Sequence, residues 1–600
     1  SSVETLGSAS VICSDKTGTL TRFEMMIERV LTASGATRVS GAGYVPEGRV
    51  EHEGRALTPG ALLTEQIVVL SGGSLAGNAY LQRRADGIWQ IQGDPTEAAF
   101  LVAERKLGAT ERRQRRFQRI AEIPFSSERK LMSTIERDLE QGGALVVITK
   151  GAPEVLLERC SRVRVGAEVV PLSAAQRARA AADVRQLLDE ALRTLSVAYR
   201  PLDAGEDPDA SEALERDLVF VGTVGMLDPP RLEVAPAIAE ARRAGIRVVM
   251  ITGDHPRTAA RIAADLGILE PEGVVLTGAD LDTLDAPRLA EAVRRTAVYA
   301  RVAPVHKLRI VEALQANGEV VAMTGDGVND APALKAADIG IAMGITGTEV
   351  SKQAAKMILA DDNFASIVAA VREGRNIFDD IQKFLRYLLS SNLGEVLTVF
   401  LGVVFSDPIG LRGSGHALVL PLLATQILWV NLVTDSTPAL AMGVDPETDD
   451  VMARSPRRPG ERAIDRRMWL GVFSTGLVMA LVTLLSMHFY LAGGWLASSK
   501  PLATARTVGF TVLVLAQLFN CFNARSEASS AFRGLFRNHW LWGAVGLSLL
   551  LQVAVVHVRV LNVAFNTVPL SAPQWGVCIA MSSVVLWFSE LRKWIFRRRG

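Results

Sequence analysis

Six hundred residues are too many for one compact core, so several domains are expected. Sixty-five Lys and Arg stand against 64 Asp and Glu, and the net charge of +1 gives no basis for a nucleic-acid partner or for docking on an acidic surface. The four cysteines, Cys13, Cys160, Cys521 and Cys578, form no CxxC pair and read as small buried hydrophobes rather than as a disulfide framework or a zinc site.

The chain opens on Ser1 with no signal peptide before its soluble part, and a processed or truncated start is expected. Up to about Ile381 it reads as a soluble protein. Apolar β-branched runs at Ser10–Cys13, Arg247–Ile251, Glu319–Met323 and Ile339–Ala342 look like buried strands. Ala235–Ala244, Thr258–Leu266 and Lys307–Gln315 look like amphipathic helices. This alternation predicts a parallel, doubly wound sheet, in which chemistry sits at the carboxyl ends of strands. Three acidic motifs fall there: Ser14–Thr19 after the first strand, Thr252-Gly253-Asp254 after the second and Thr324–Gly327 after the third. The long stretch between Thr21 and Asp228 has strand signals of its own, for example at Ala144–Thr149 and Leu218–Val224. It reads as a separate α/β domain inserted after the first strand.

From Lys383 onward six apolar spans are long enough to cross ~30 Å of hydrocarbon. They are Phe384–Phe405, Leu418–Met442, Met468–Leu491, Thr507–Phe522 (the shortest), Leu541–Val558 and Trp575–Leu591. Basic residues gather on one side. Arg375, Lys383 and Arg386 precede the first span, and Arg454, Arg457, Arg458, Arg462, Arg466 and Arg467 follow the second. Arg525, Arg533 and Arg537 follow the fourth, and Arg592, Lys593, Arg597, Arg598 and Arg599 the sixth. The opposite loops carry only Arg412, Lys500, Arg506 and Arg559. Both ends and the soluble part are therefore expected in the cytoplasm, with the lipid bilayer as a partner.

A carboxylate such as Asp15 can attack a γ-phosphoryl group and form an acyl phosphate. The attack needs Mg²⁺ and a cation to offset repulsion between anionic oxygens. Asp15 and Asp326, at the ends of two strands, offer oxygen ligands for Mg²⁺, and Lys307 a neutralising charge. Gly18, Gly253, Gly325 and Gly327 permit tight turns with exposed backbone N–H groups.

Ser14–Thr21 (SDKTGTLT), Thr252–Pro256 (TGDHP) and Thr324–Pro332 (TGDGVNDAP) resemble the signature set of P-type ATPases, within the haloacid-dehalogenase-like superfamily. Asp228–Arg231 (DPPR) resembles that family's hinge back from the nucleotide domain. The resemblance implies an α/β haloacid-dehalogenase-like (Rossmann-like) phosphorylation domain at 1–22 and 228–375, an inserted α/β nucleotide-binding domain at 23–227, and a six-helix all-α transmembrane domain at 376–600. It implies that Asp15 is phosphorylated by ATP and that Asp15, Asp326 and the Thr17 carbonyl hold Mg²⁺. Lys16, Thr252, Gly253, Asp254, Lys307, Asn329 and Asp330 complete the implied phosphoryl site.

Gly93–Glu97 (GDPTE), Pro124–Ser133 (PFSSERKLMS) and Lys150–Glu154 (KGAPE) resemble nucleotide-domain motifs of the cation-pump branch. Thr96, Glu97 and Gly151 belong to them. Phe125 is suited to stack on adenine, Lys130 and Lys150 to line its pocket, and Arg193 to reach a phosphate. No GxxxxGK[ST] occurs, so a P-loop is not supported.

Polar and acidic residues inside a span are costly and usually functional. Asn392 and Glu395 share one span, and Asn431, Thr434 and Asp435 the next. Ser390–Glu395 (SSNLGE) and Trp429–Asp435 (WVNLVTD) resemble the ion-binding helices of calcium pumps of the sarcoplasmic-reticulum type, and hard oxygen ligands with two carboxylates suit Ca²⁺. Gln517 stands where calcium pumps with two ion sites carry an acid, so one ion per ATP is expected.

The actuator domain with its TGES loop, the first four membrane helices and the PEGL-type break of the family are not found in these residues. A separate N-terminal polypeptide carrying the actuator is the alternative to a truncated start. The expected function is ATP-driven Ca²⁺ export through an aspartyl phosphate, in a multi-pass protein of the plasma membrane. The alternatives are a pump for Na⁺, K⁺ or H⁺, a membrane-anchored phosphatase using Asp15, and a partner that only binds nucleotide. Soluble phosphatases of the superfamily carry a second Asp two residues after the nucleophile; Thr17 stands there and favours a lasting phosphoenzyme.

Overall fold

The computed structural model describes residues 2–599 except 23, 42, 204, 208–210, 412–418, 448–449, 458–460, 462, 492–495, 497–500 and 528, and except the side chains of Thr17 and Arg599. Arg412, Arg458, Arg462, Lys500 and the first residue of the second apolar span, Leu418, lie outside the described residues. The chain divides into two compact units: residues 10–242 with 246–368, and residues 1–9 with 243–245 and 369–600.

The first unit holds two large sheets and a small two-stranded one, Tyr80–Arg83 against Trp89–Gln92. One has seven parallel strands: β1 (Val11–Asp15), β2 (Arg247–Ile251), β3 (Val274–Thr277), β4 (Thr296–Ala300), β5 (Val321–Gly325), β6 (Ile339–Met343) and β7 (Met357–Leu359). Their spatial order is β3-β4-β2-β1-β5-β6-β7, which puts β1 between β2 and β5. The central strands are buried on both faces, as expected where helices cover a parallel sheet. Val11, Val249, Val321 and Met323 pack with Ile310 and Leu314 of the helix Pro304–Ala316 in one continuous core. The short strands β3, β4 and β7 escaped the sequence pattern; β3 and β7 are outer strands with exposed residues, which blurs their periodicity.

The second sheet has eleven strands, mostly antiparallel, all from residues 26–227. It includes Ala144–Gly151 and Leu218–Leu227, where strand signals were read. Two chain crossings join the sheets. They are clipped together by the Thr21 hydroxyl, which donates to Asp228 Oδ2 at 2.6 Å, and by a bridge between Thr21 and Pro230. The Arg231 guanidinium ties the same place to the Gly18 and Thr21 carbonyls.

In the second unit, five helices among the described residues are long and apolar enough to cross a membrane: Phe364–Val404, Arg466–Tyr490, Pro501–Ala524, His539–His557 and Ala572–Arg598. The helix expected to be shortest runs 24 residues. The second expected span departs from a continuous helix. Residues 419–423, which contain Pro421, are not helical. After them come the short helix Ala424–Trp429, a π turn at Val430–Thr434 and the helix Ser436–Met442. End to end, residues 424–442 rise about 28 Å at 1.5 Å per residue. The expected second span is thus not among the helices long and apolar enough to cross, and it is interrupted where its polar residues lie. All four cysteines are free and buried.

Asp362 braces the loop after β6. It is 2% exposed and takes a left-handed backbone, which Asp tolerates. Its carboxylate accepts from the amides of Gly344, Ile345 and Thr346 at 2.7–3.0 Å and from the Thr346 hydroxyl at 2.8 Å. Burial pushes its carboxyl up, but these donors outweigh it and hold it below the usual range. Such a group contributes fully above an unfolded pKa near ~4 and loses its contribution as pH falls through its lower folded value. At pH 7, Asp362→Ala is expected to cost roughly 3 kcal/mol by stranding those donors. Calorimetric unfolding of the full chain in detergent checks this, with Asp362→Asn falling between variant and wild type.

Candidate active site

Asp15 ends β1 and caps a π turn over Lys16–Leu20, accepting from the Lys16 amide at 2.7 Å. Its own amide donates to the Thr324 hydroxyl on β5. Lys307, from the first turn of Pro304–Ala316, donates to Asp15 Oδ2 at 2.6 Å and to Asp330 Oδ1 at 2.7 Å. Asp330 Oδ2 in turn accepts from the Asp326 and Gly327 amides. Asp15, Asp326 and Asp330 each offer a carboxylate oxygen within 4.8 Å of the others. Gly325 permits this approach, because a Cβ there would sit 2.5 Å from the Asp330 Cβ. Gly18 takes a left-handed φ of +75°.

Three carboxylates against one ammonium leave two negative charges uncompensated. Burial, and then Asp330, raise the Asp15 carboxyl above its usual range, against the pull of Lys307. Burial, then Asp15 and Asp330, push Asp326 up to about 6. Burial works to lower Lys307, but Asp15 and Asp330 exceed it and raise the ammonium above its ordinary value. Asp326 makes no ion pair among the described residues, and every donor is a hard oxygen. A magnesium ion fits this set in charge and in ligand type.

Lys16 turns away from Asp15 and pairs with Asp254 at 2.7 Å, with Asp228 at 3.8 Å. Thr252 is buried, and its hydroxyl accepts from the Asp254 amide. A cleft of about 720 Å³ is lined by Lys16, Gly253 and Asp254 together with Arg193, Asp228 and Arg301. Asn329 is exposed beside the carboxylates. Thr17 lies in the π turn, and its side chain is outside the described part.

Glu97 stands in the first turn of Pro95–Lys106, where the Asp94 side chain caps the Thr96 amide. It accepts from Lys150 Nζ at 2.9 Å and from the Asn78 amide at 2.7 Å. Burial lowers the Lys150 ammonium, and the pull of Glu97 offsets only part of this. Gly151 packs against the Lys130 carbonyl, with Lys130 in a left-handed backbone. The Phe125 ring is 63% exposed, free to meet a ligand. Arg193 begins the strand that pairs with the one carrying Lys150.

In the membrane unit, Glu395 is buried and accepts from Asn431 Nδ2 at 2.7 Å and from Gln517 Nε2 at 2.9 Å. Asp435 Oδ1 accepts from the Tyr387 hydroxyl at 3.1 Å. Asp435 Oδ2, Gln517 Oε1 and Ser391 Oγ are buried with no partner among the described residues. Buried polar atoms usually find a partner, and a hard cation is one group that would satisfy these oxygens. The Thr434 hydroxyl is spent on the Val430 carbonyl, and Asn392 is exposed, away from this group.

Tyr387 and the Asp362 brace go unread in the sequence, and Ser391 and Arg231 are read there only as members of motifs; each is a common residue type whose place only the packing reveals. Asp228 was read as part of a hinge, and its bonds to Thr21 and the Glu24 amide add a clip.

Three family models match the chain: "P-type ATPase, cytoplasmic domain N" at residues 67–233, "haloacid dehalogenase-like hydrolase" at 307–371, and "Cation transporting ATPase, C-terminus" at 419–595. A calcium-transporting ATPase of Bacillus subtilis is 44% identical over 97% of this chain and 63% of its own length. The probable cation-transporting ATPase F of Mycobacterium tuberculosis is 41% identical over 97% of this chain and 63% of its own length. The endoplasmic reticulum calcium ATPase srcA of Aspergillus fumigatus is 36% identical over 100% of this chain and 67% of its own length.

The chain belongs to the P-type cation-transporting ATPases. It spans 63–64% of the length of the first relatives it matches. The family and the five long apolar helices make it a multi-pass membrane protein. For a P-type ATPase, millimolar Mg²⁺ is expected to raise the unfolding midpoint of the wild type. Asp326→Asn is expected to lose most of that shift, and EDTA to reverse it, in thermal melts of the full chain.

Proposed function

We propose that these residues are the catalytic and ion-binding part of an ATP-driven pump that exports Ca²⁺ from the cytosol through a phospho-aspartate at Asp15. The observation that carries the reading is Lys307 held between Asp15 and Asp330 at 2.6 and 2.7 Å, at the strand ends where Asp326 also lies. In the proposed reaction an Asp15 carboxylate oxygen bonds to the γ-phosphorus of ATP, the bond to the β,γ-bridging oxygen breaks, and ADP leaves. Lys307 neutralises the oxygens brought in by the phosphoryl group. Thr252, Gly253, Asp254 and Asn329 surround it, while Lys16 closes the cleft side. Mg²⁺ held by Asp15, Asp326 and the Thr17 carbonyl would supply charge compensation. Thr96, Glu97, Phe125, Lys130, Lys150, Gly151 and Arg193 are assigned to ATP.

On this reading the phosphorylation domain is 1–22 and 228–375, the nucleotide-binding domain 23–227 and the transmembrane domain 376–600, with the first two in the cytoplasm and the last in the plasma membrane. Glu395, Asn431, Asp435 and Gln517 are assigned to the transported cation, with Asn392 and Thr434 at its margin. The names of the relatives support calcium. The whole cycle is proposed for the complete pump, including a TGES-bearing actuator region on the same or a separate polypeptide. Gln517, bonded to Glu395 in place of a second acid, favours a single ion per cycle and keeps Na⁺, K⁺ and H⁺ as the second reading.

Label from γ-³²P-ATP is expected on the wild-type chain and not on Asp15→Asn; equal labelling of both rejects the assignment. In the complete pump, Glu395→Gln and Asp435→Asn are each expected to weaken calcium-dependent phosphorylation at least tenfold, since each removes a charged ligand. Transport that follows Na⁺, K⁺ or H⁺ while ignoring Ca²⁺ selects the second reading.

A further inference from the structure

The unit that carries Asp15 contains a second cavity that the proposed reaction leaves unused. Its volume is about 430 Å³, within the range of small-molecule sites. The floor is one face of the eleven-stranded sheet, with Val146 and Ile148 from Ala144–Gly151 beside Val197 and Tyr199 from Arg193–Pro201. The helices Ala61–Leu75 and Thr110–Arg116 supply walls.

Four arginines line it against one carboxylate, that of Asp138. Three of the four are spent. Arg113 pairs with the fully buried Glu104 at 2.8 Å, Arg116 with Asp138 at 2.6 Å, and Arg112 with Glu140 at 2.8 Å. Arg164 is different. It lies on the strand Cys160–Val165, and its Nη1 donates to the Tyr199 hydroxyl at 2.8 Å. Among the described residues its buried Nε has no partner, and the guanidinium meets no carboxylate.

An apolar floor beside one guanidinium with charge and donors to spare selects a particular ligand shape. A planar carboxylate or sulfonate matches the arginine fork, and an apolar body covers the sheet. The nucleotide residues do not share the space: Glu97, Phe125, Lys130, Lys150 and Arg193 are absent from its lining. The Arg119 guanidinium, bonded to the Leu75 and Gly77 carbonyls and to Asn78, seals the end of Ala61–Leu75 on that side.

We propose that this cavity binds a small organic monoanion with an apolar body, its acid group on Arg164 and its body on Val146, Ile148 and Val197. The test is a ¹⁹F NMR titration of 4-(trifluoromethyl)benzoate against the full chain in detergent, with protein-free micelles as the blank. Saturable binding is expected. Arg164→Gln should weaken it about tenfold or more, the scale of a lost charge-assisted hydrogen bond. Val146→Trp, which fills the floor from a partly exposed position, should abolish it. Saturating ATP should leave it in place. No saturable binding, indifference to both substitutions, or displacement by ATP would each overturn the proposal. If Arg164→Gln lowers the unfolding midpoint, Val146→Trp and the ATP competition carry the decision.

Discussion

One ammonium holds the catalytic end of the sheet together. Without Lys307, three carboxylates would face each other within 4.8 Å at strand ends largely closed to water. Repulsion there is felt at low dielectric, and the raised Asp15 and Asp326 carboxyls record it even with the lysine present. Lys307 can reach because the helix before β5 starts beside β4, aiming its first turn at the end of β1. The right-handed crossovers of a parallel sheet make that placement repeatable. The negative charge that remains is what a divalent cation would balance, all the more once an anionic phosphoryl group arrives.

The membrane unit solves a related problem with neutral groups. Glu395 is met by two side-chain amides and Asp435 by a phenol, with no cationic side chain bonded to either carboxylate among the described residues. Neutral donors orient a carboxylate without competing for its charge, so an arriving ion finds ligands already aimed. A π turn lies at each of the two sites, over Lys16–Leu20 after Asp15 and over Val430–Thr434 before Asp435. The second interrupts a helical stretch, where wide turns gather at functional positions because they redirect carbonyls and side chains, while the first follows a strand. In both places the turn directly adjoins the acidic residue on which the proposed function depends.

Much of this was legible in the residues because the chemistry is written in short runs. Asp15, Thr252–Asp254 and Thr324–Gly327 announce themselves as strand-end turns, and Arg247–Ile251 is a strand with the bounds read from its pattern. What stayed hidden depends on packing. The strand Thr296–Ala300 is five residues long and carries no turn signal of its own, so only its place between β2 and β3 identifies it. Lys16 reads as a phosphoryl ligand in its motif, yet its side chain lies with Asp254, because the π turn points it into the cleft. Asn392 follows the helical spacing toward Glu395 and still ends exposed, since i and i+3 positions share a face only in part.

The clip at Thr21 and Asp228 carries a mechanical consequence. The eleven-stranded lobe is entered and left through neighbouring backbone segments, locked by one short hydrogen bond and by Arg231 reaching to Gly18. The lobe also touches the helix Pro256–Asp265, where Arg261 donates to Glu28 and to the Glu190 carbonyl and the Thr258 hydroxyl donates to the Ala191 carbonyl. These are side-chain bonds, whereas the ribbon of those two segments is backbone and lies within six residues of Asp15; once the side-chain bonds part, a small angular displacement at the ribbon becomes a long arc at the distant nucleotide residues while barely disturbing the nucleophile.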